Sequence, residues 1–243
     1  MNAKGKTSIK ENKTTMTASA LMHWAGVSAM AAGLCFLVIG MFHPVNELSA
    51  VTTPTWVNVH LFAFALGSIG VFGMAGLYAR QAEKAGWLGL AGFILFSVWM
   101  IVISGVSFVE AFILPRLVSV SPAFVEGFLG MFSGLPSQID FGILPTLWTI
   151  SNPMYLLGPL LFGIATFRAG ILPRWAGALL IVGATLGPVS ALLIPAEYQA
   201  RVMLPNGLAL LWLGYALFAE HREKITEAVR DQRTVKPEPS EVA

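Results

Sequence analysis

Residues 56–112 decide the fold, and they read WVNVHLFAFALGSIGVFGMAGLY (56–78), ARQAEKAG (79–86) and WLGLAGFILFSVWMIVISGVSFVEAF (87–112). The two long runs are apolar, and each exceeds the roughly 20 residues that a helix needs to cross the hydrocarbon core of a bilayer. The linker between them is short and holds the charged residues Arg80, Glu83 and Lys84. Because short connections join antiparallel neighbours, this stretch predicts a helical membrane hairpin.

The rest of the chain repeats this pattern. Of its 243 residues, 56% are hydrophobic and 12% are charged, and that charged fraction is about half of what a soluble domain carries. Six apolar stretches are long enough to span a bilayer: 21–42, 56–78, 87–112, 146–167, 175–194 and 202–219. The predicted fold class is therefore all-α, a polytopic membrane bundle of six transmembrane helices. The single cysteine, Cys35, cannot form an intramolecular disulfide.

The distribution of Lys and Arg predicts the orientation. If the amino terminus is cytoplasmic, only Arg116 and Arg201 of the 15 Lys and Arg residues fall on the outer side. Basic residues collect on the cytoplasmic side of membrane proteins, so both termini are expected inside. The expected domains are a basic cytoplasmic tail (1–19), a transmembrane domain (20–220) and a charged cytoplasmic tail (221–243).

The segment between the third and fourth spans contains a further apolar run, 122–132, which is too short to cross the membrane. It predicts a short interfacial or re-entrant helix on the outer surface. Trp56 and Trp148 lie at the predicted outer boundary, where the amphipathic indole ring is favoured.

Polar side chains are rare inside the predicted spans and at their ends, and five of them lie at a similar depth near the outer surface. They are Glu110, His60, His43, Asn152 and Asn206. Ionisable groups at membrane depth are costly unless they are paired or hydrated, which makes them the first candidates for a site. The sequence predicts an outward-facing polar pocket with Glu110 at its centre and His60 as its partner.

Several uses of this pocket remain open from the sequence. Glu110 could exchange a proton, bind a cationic ligand, or form an ion pair with Arg116, Arg201 or His60. The alternative is a hydrogen-bonded structural cluster at the headgroup boundary. Transport or binding of a small solute or ion is the leading hypothesis.

Cofactor chemistry has weaker support. His43, His60 and Glu110 form a two-histidine, one-carboxylate set of the type that holds zinc or iron, but no local spacing enforces that geometry. Four histidines, His43 and His60 outside and His23 and His221 inside, also suggest haem, yet no motif places two imidazoles face to face. No cofactor or metal is therefore expected, and no catalytic residue is assigned, because the known hydrolase, metalloprotease and phosphate-binding motifs are absent from the sequence.

Glycines at helical spacing suggest close helix packing. Gly67, Gly70, Gly73 and Gly76 are three residues apart in the second stretch. Small residues of this kind pack helices against one another in lipid, either within one bundle or against a membrane partner or a second copy. A non-catalytic accessory subunit is thus the second functional hypothesis, and a membrane-embedded enzyme or redox protein is the third. Nucleic acid is not an expected partner, because the basic residues lie scattered at membrane borders.

The entry LPRWAG (172–177) into an apolar helix resembles that of many small bacterial integral membrane proteins. The short basic inner loops and the six-span plan are similar too. This resemblance implies a multi-pass protein of the bacterial cytoplasmic membrane, and it implies no activity.

Overall fold

A computed structural model describes residues 17–234, with side chains except at 191, 192, 196 and 221–234. These residues form helices and no strand. The helices in chain order are α1 (Ala18–Phe42), α2 (Leu48–Val51), α3 (Pro54–Phe108), a π-helix (Val109–Ile113), α4 (Leu114–Leu117), α5 (Pro122–Met131), α6 (Leu144–Ala169), α7 (Arg174–Leu193), α8 (Ala196–Gln199), a 3-10 helix (Ala200–Met203) and α9 (Leu204–Thr234). The all-helical prediction is confirmed for this part of the chain, whereas most of the basic tail and the last residues of the charged tail lie outside it.

The predicted hairpin is present as a sharp reversal within α3. Gly86 has φ 55° and ψ −150°, a conformation that is essentially restricted to glycine, and it separates a first arm (54–85) from a second arm (87–108). The arms lie so close that a Cβ atom on Gly67 would sit 2.2 Å from the Met100 carbonyl oxygen. The Ser68 and Ser104 hydroxyls are 3.0 Å apart across the same contact. The two arms therefore run antiparallel.

The glycines of the first arm pack inside the molecule. A Cβ atom on Gly73 would lie 2.6 Å from the backbone nitrogen of Ala29, and one on Gly76 would lie 2.2 Å from the Ala25 Cβ. Their neighbour is thus α1, which packs in turn on α9 through contacts such as Gly26 with Gly214. The four glycines of this stripe are buried against the chain's own helices.

Four helices are long and apolar enough to cross a membrane: Ala18–Phe42, Pro54–Leu117, Leu144–Ala169 and Glu197–Glu220. The second has 64 residues and includes both arms of the hairpin. Side chains such as Leu34, Phe72 and Ile101 are large, apolar and exposed. Apolar residues on both the inner and the outer faces of helices are typical of a protein whose solvent is lipid.

The predicted short helix at 122–132 is present as α5, and it covers one end of the bundle. Its residues Val125 and Phe128 are fully buried in a second hydrophobic cluster with Trp56 and Leu114. This end, called the Glu110 end below, lies opposite the Gly86 end. The Trp56 ring does not face lipid, because α5 and the second arm enclose it completely, and its position at the membrane boundary stays a prediction.

Candidate solute-binding site

A cavity of about 130 Å³ lies inside the Glu110 end of the bundle. Its polar lining residues are His43, Asn46, His60, Ser107, Glu110 and Trp148, and the rest of its lining is apolar. Cavities of similar size, about 150 Å³, hold a molecule such as benzene, and a polar cavity of this volume holds several waters. Three of the five residues predicted to form a pocket therefore meet here.

Glu110 is positioned by the π-helix, and the sequence explains why the helix widens there. Pro115 has no N–H, and its ring would press on the carbonyl group of Ala111, four residues earlier, in a regular α-helix. The chain responds with a wider turn, in which the Leu114 N–H donates to the Val109 carbonyl oxygen. Such π-turns often occur at functional sites because they re-aim one side chain. Here the residue at the turn is Glu110, which is only 4% exposed.

The same turn leaves the backbone carbonyl of Glu110 without a donor in its own helix. Leu114 is already bonded to Val109, and Pro115 has no N–H to offer. The Trp56 indole Nε1–H fills this position from the first arm, at 3.0 Å from the Glu110 carbonyl oxygen. Trp56 thus ties the two arms together at the site, and sequence reasoning missed this role because it treated the ring as a boundary anchor.

The tautomer of His60 follows from its hydrogen bond. Its Nδ1 lies 2.8 Å from the Trp56 carbonyl oxygen, and since a carbonyl can only accept, Nδ1 carries a proton and donates. In the neutral ring the other nitrogen, Nε2, is then an acceptor. Nε2 lies 3.3 Å from Glu110 Oε2, and both side chains are at least 95% buried. This pairing agrees with the predicted partner of Glu110.

The contact between His60 and Glu110 is close but poorly aligned. Nε2 of His60 has no hydrogen-bond partner among the described residues, although the Glu110 oxygen is within ion-pair distance. The Ser107 hydroxyl, itself fully buried, donates to the same carboxyl oxygen at 3.4 Å. Two acceptors facing each other repel unless a proton or another donor lies between them. The pair is therefore arranged to share one proton or to receive a donor from a ligand.

His43 lies at the mouth of the cavity, directly after α1. Its Nδ1–H donates to the Pro44 carbonyl oxygen at 2.7 Å, so its Nε2 is also an acceptor in the neutral ring. The ring centres of His43 and His60 are 5.1 Å apart. Burial lowers the pKa of His43 below its ordinary 6.5, which favours the neutral ring at neutral pH.

An open groove of about 480 Å³ adjoins the cavity. The two share four lining residues, His43, Asn46, Trp148 and Met203. Asn152 is exposed and lines the groove instead of the cavity. The groove connects the buried Glu110–His60 pair to the surface of the Glu110 end.

Asn206 belongs to a different cluster. It is fully buried, its Nδ2 donates to the Tyr155 hydroxyl at 3.1 Å, and its side chain packs on Gly183. It lines neither the cavity nor the groove. Counting residues along the helices correctly predicted that Asn206 lies at the Glu110 end, but its side chain points between α6 and α7.

The opposite side of the cavity is closed by stacked aromatic rings. Trp99 lines the cavity, and its ring centre lies 6.0 Å from that of Phe36 and 5.9 Å from that of Phe96. The Tyr155 ring lies 4.5 Å from Trp99 on another side. A solute in the cavity thus meets the Trp99 ring, which the other three rings support from behind. These four residues are called the aromatic floor below.

The structure also locates the residues behind the metal, ion-pair and haem hypotheses. Among the described residues, no three His, Cys, Asp or Glu side chains are grouped closely enough to hold a metal ion. Arg116 is exposed, and Arg201 lies over the Tyr198 ring at 4.4 Å, so His60 is the basic group next to Glu110. The His23 ring packs against Phe218 in α9, and the side chain of His221 lies outside the described residues.

No family model matches the chain, and no curated protein or solved structure is significantly similar to it. Inferences about its function therefore rest on the geometry of the cavity and the groove.

Proposed function

We propose that the chain is a six-span protein of the bacterial cytoplasmic membrane that binds a small solute or ion in the cavity beside Glu110, as the outward-facing site of a transporter. The observation that carries this proposal is the buried Glu110–His60 pair, which lines a cavity joined to an open groove. A carboxyl group at membrane depth is expensive to bury, and such groups usually face a pathway or a partner.

The six-span topology is supported by two features. The second apolar segment, Pro54–Leu117, reverses at Gly86 and has length for two crossings. In addition, α7 is an apolar helix of 20 residues that packs between α6 and α9. Each of the six long helices overlaps one of the apolar stretches in the sequence.

The orientation is supported by charge. Arg80 and Lys84 lie beside the Gly86 turn. Arg168, near the end of α6, and Arg174, the first residue of α7, lie at the same end of the bundle. Because basic residues favour the cytoplasmic side, this end is placed inside, and the groove opens to the exterior.

The arrangement fits binding better than a purely structural cluster. A structural pair would be expected to satisfy its hydrogen bonds, yet two buried nitrogens at this cavity, His60 Nε2 and Trp148 Nε1, have no partner among the described residues. Both atoms belong to residues that line the cavity. The accessory-subunit hypothesis has less support, since the glycine stripe is covered from within.

Within this proposal, the aromatic floor supports an outward-open state of the transporter. The groove gives access to the cavity from the Glu110 end, and the rings around Trp99 close it toward the Gly86 end. Transport would require these rings to move, as alternating access demands.

A solute panel with matched variants tests the proposal. The purified full chain is heated in detergent with small cations, anions, sugars and neutral amphiphiles, and a ligand is recognised by a rise in the melting temperature. We expect at least one compound to stabilise the native chain and to lose its effect in Glu110→Gln. Glu126→Gln, an exposed carboxyl on α5, is the control and should behave like the native chain. A panel in which every shift is absent, or is retained in Glu110→Gln, would contradict the proposal.

A further inference from the structure

The cavity points to a ligand class. Resting on the function proposed above, we propose that it binds a small organic ammonium ion in exchange for the proton shared by Glu110 and His60. The argument depends on which polar atoms face the cavity and on the rings around them.

The cavity offers mainly hydrogen-bond acceptors. Glu110 contributes its carboxyl oxygens, and His60 and His43 each contribute Nε2, because backbone carbonyls hold their Nδ1–H groups. The Ser107 hydroxyl donates to Glu110 and is thereby occupied. A ligand with several N–H donors matches this set, whereas a carboxylate or phosphate would meet these acceptors and find only two uncharged donor groups, the Trp148 indole N–H and the Asn46 amide.

The charged groups around the cavity also favour a cation over an anion. Of its described lining residues, the titratable ones are His43, His60 and Glu110, and none is Lys or Arg. The lining residues from α6 and the 3-10 helix, Trp148 and Met203, carry no charge. An anion would thus find no permanent positive charge, while a cation finds a carboxyl group.

The apolar part of the cavity lining favours a cation that carries a hydrocarbon group. The rings of Trp99, Trp148 and Phe132 border the space, together with aliphatic side chains such as Leu66 and Ile103. Aromatic faces attract cations, and they also bury a hydrocarbon group. A volume of about 130 Å³ limits the enclosed part of the ligand to about the size of one small ring, and the adjoining groove leaves room beyond it.

The exchange balances in protons and charge. Without ligand, one proton lies on the pair, either on the carboxyl group of Glu110 or on Nε2 of His60, and the pair is neutral. When the ammonium ion enters, one of its N–H groups donates to the Glu110 carboxylate and another to His60 Nε2. The proton of the pair leaves to solvent through the groove, past His43. The site stays neutral: the ammonium ion brings one positive charge as the proton carries one away, so the ligand charge balances the Glu110 carboxylate.

Calorimetry on the purified full chain with three probes of similar size tests this proposal. Benzylamine is the cationic probe, benzyl alcohol is neutral and benzoate is anionic. We expect benzylamine to bind with release of about one proton, read from titrations in buffers of different ionisation enthalpy. Its affinity should fall about tenfold for each pH unit of acidification in the range where the pair holds its proton.

Glu110→Gln should weaken benzylamine binding at least tenfold and abolish the proton release, while Glu126→Gln should leave both unchanged. Benzylamine binding without proton release, or failure of benzylamine to bind, overturns the ammonium proposal. If benzyl alcohol or benzoate binds more tightly than benzylamine and depends on Glu110, the ligand class is wrong while the binding site stands. If, by contrast, no compound in the wider panel shows binding that depends on Glu110, the proposed function itself is wrong.

Discussion

Replacement of Trp56 by Phe removes the hydrogen bond that holds the two arms of α3 together at the site. The carbonyl oxygen of Glu110 then loses its donor, and Pro115 and the bond from Leu114 to Val109 leave no substitute nearby. A buried acceptor left bare costs about 1–3 kcal/mol. Interhelical hydrogen bonds in membranes average only about 0.6 kcal/mol, because the unfolded chain in lipid also finds partners, so the lower half of that range applies. The smaller ring adds about 1 kcal/mol of lost apolar contact, for a total of about 2–3 kcal/mol.

The matched control is Trp148→Phe, which makes the same ring change at a residue packed against the same hydrophobic cluster as Trp56. The Trp148 Nε1–H is buried without a partner among the described residues, so its removal leaves no acceptor bare. We expect a loss of about 1 kcal/mol or less. Unfolding in mixed detergent micelles, followed by circular dichroism, gives both free energies. If the two variants differ by less than about 0.5 kcal/mol, the role assigned to Trp56 is wrong.

Three further predictions concern the frame around the site. Gly86→Ala should lower the free energy of unfolding by about 1–3 kcal/mol through backbone strain alone, since a Cβ there meets nothing within 4 Å. The control is Gly105→Ala, which is equally uncrowded but lies in regular helix. It should be neutral or slightly stabilising in the same assay. Thr53→Ala should cost about 1 kcal/mol, because the Thr53 hydroxyl caps the first arm by accepting from the Trp56 N–H at 3.2 Å; an unchanged melting curve would argue against this cap. Because the pKa of His43 is lowered in the folded chain, the unfolded chain takes up a proton first as the pH falls, and stability should drop below about pH 6.5. His43→Gln should flatten that part of the pH profile of the melting temperature. Parallel profiles for the native chain and the variant would refute the assignment.

The sequence predicted the helices well because length and hydropathy alone determine them. The hairpin around Gly86 and the short helix at 122–132 both appear in the structure. Helix depth follows from counting residues at a fixed rise, and this correctly brought Glu110, His60 and His43 to one layer. The charge pattern gave an orientation in the same way, and that orientation remains a prediction.

Rotation about the helix axes could not be predicted, because these helices are apolar on all faces and carry little amphipathic signal. Asn152 and Asn206 lie at the expected depth, yet one faces the groove and the other faces Tyr155. The burial of Trp56 depends on α5 folding back over it, a tertiary contact with no local signature. The π-helix did have a local signal, since Pro115 lies five residues after Glu110.

The central claim is that the cavity opens to the exterior at the Glu110 end, and thiol labelling of intact cells tests it most directly. In a Cys35→Ala background, which removes the single cysteine, cysteines are placed at Asn46 in the cavity mouth, at the cavity-lining Ala63, and at Lys84 beside the Gly86 turn. A membrane-impermeant cationic methanethiosulfonate is added from outside. We expect labelling at positions 46 and 63, and labelling at 84 only after the cells are permeabilised. Labelling of position 84 from outside with none at 46 would place the cavity on the opposite side of the membrane and contradict the account.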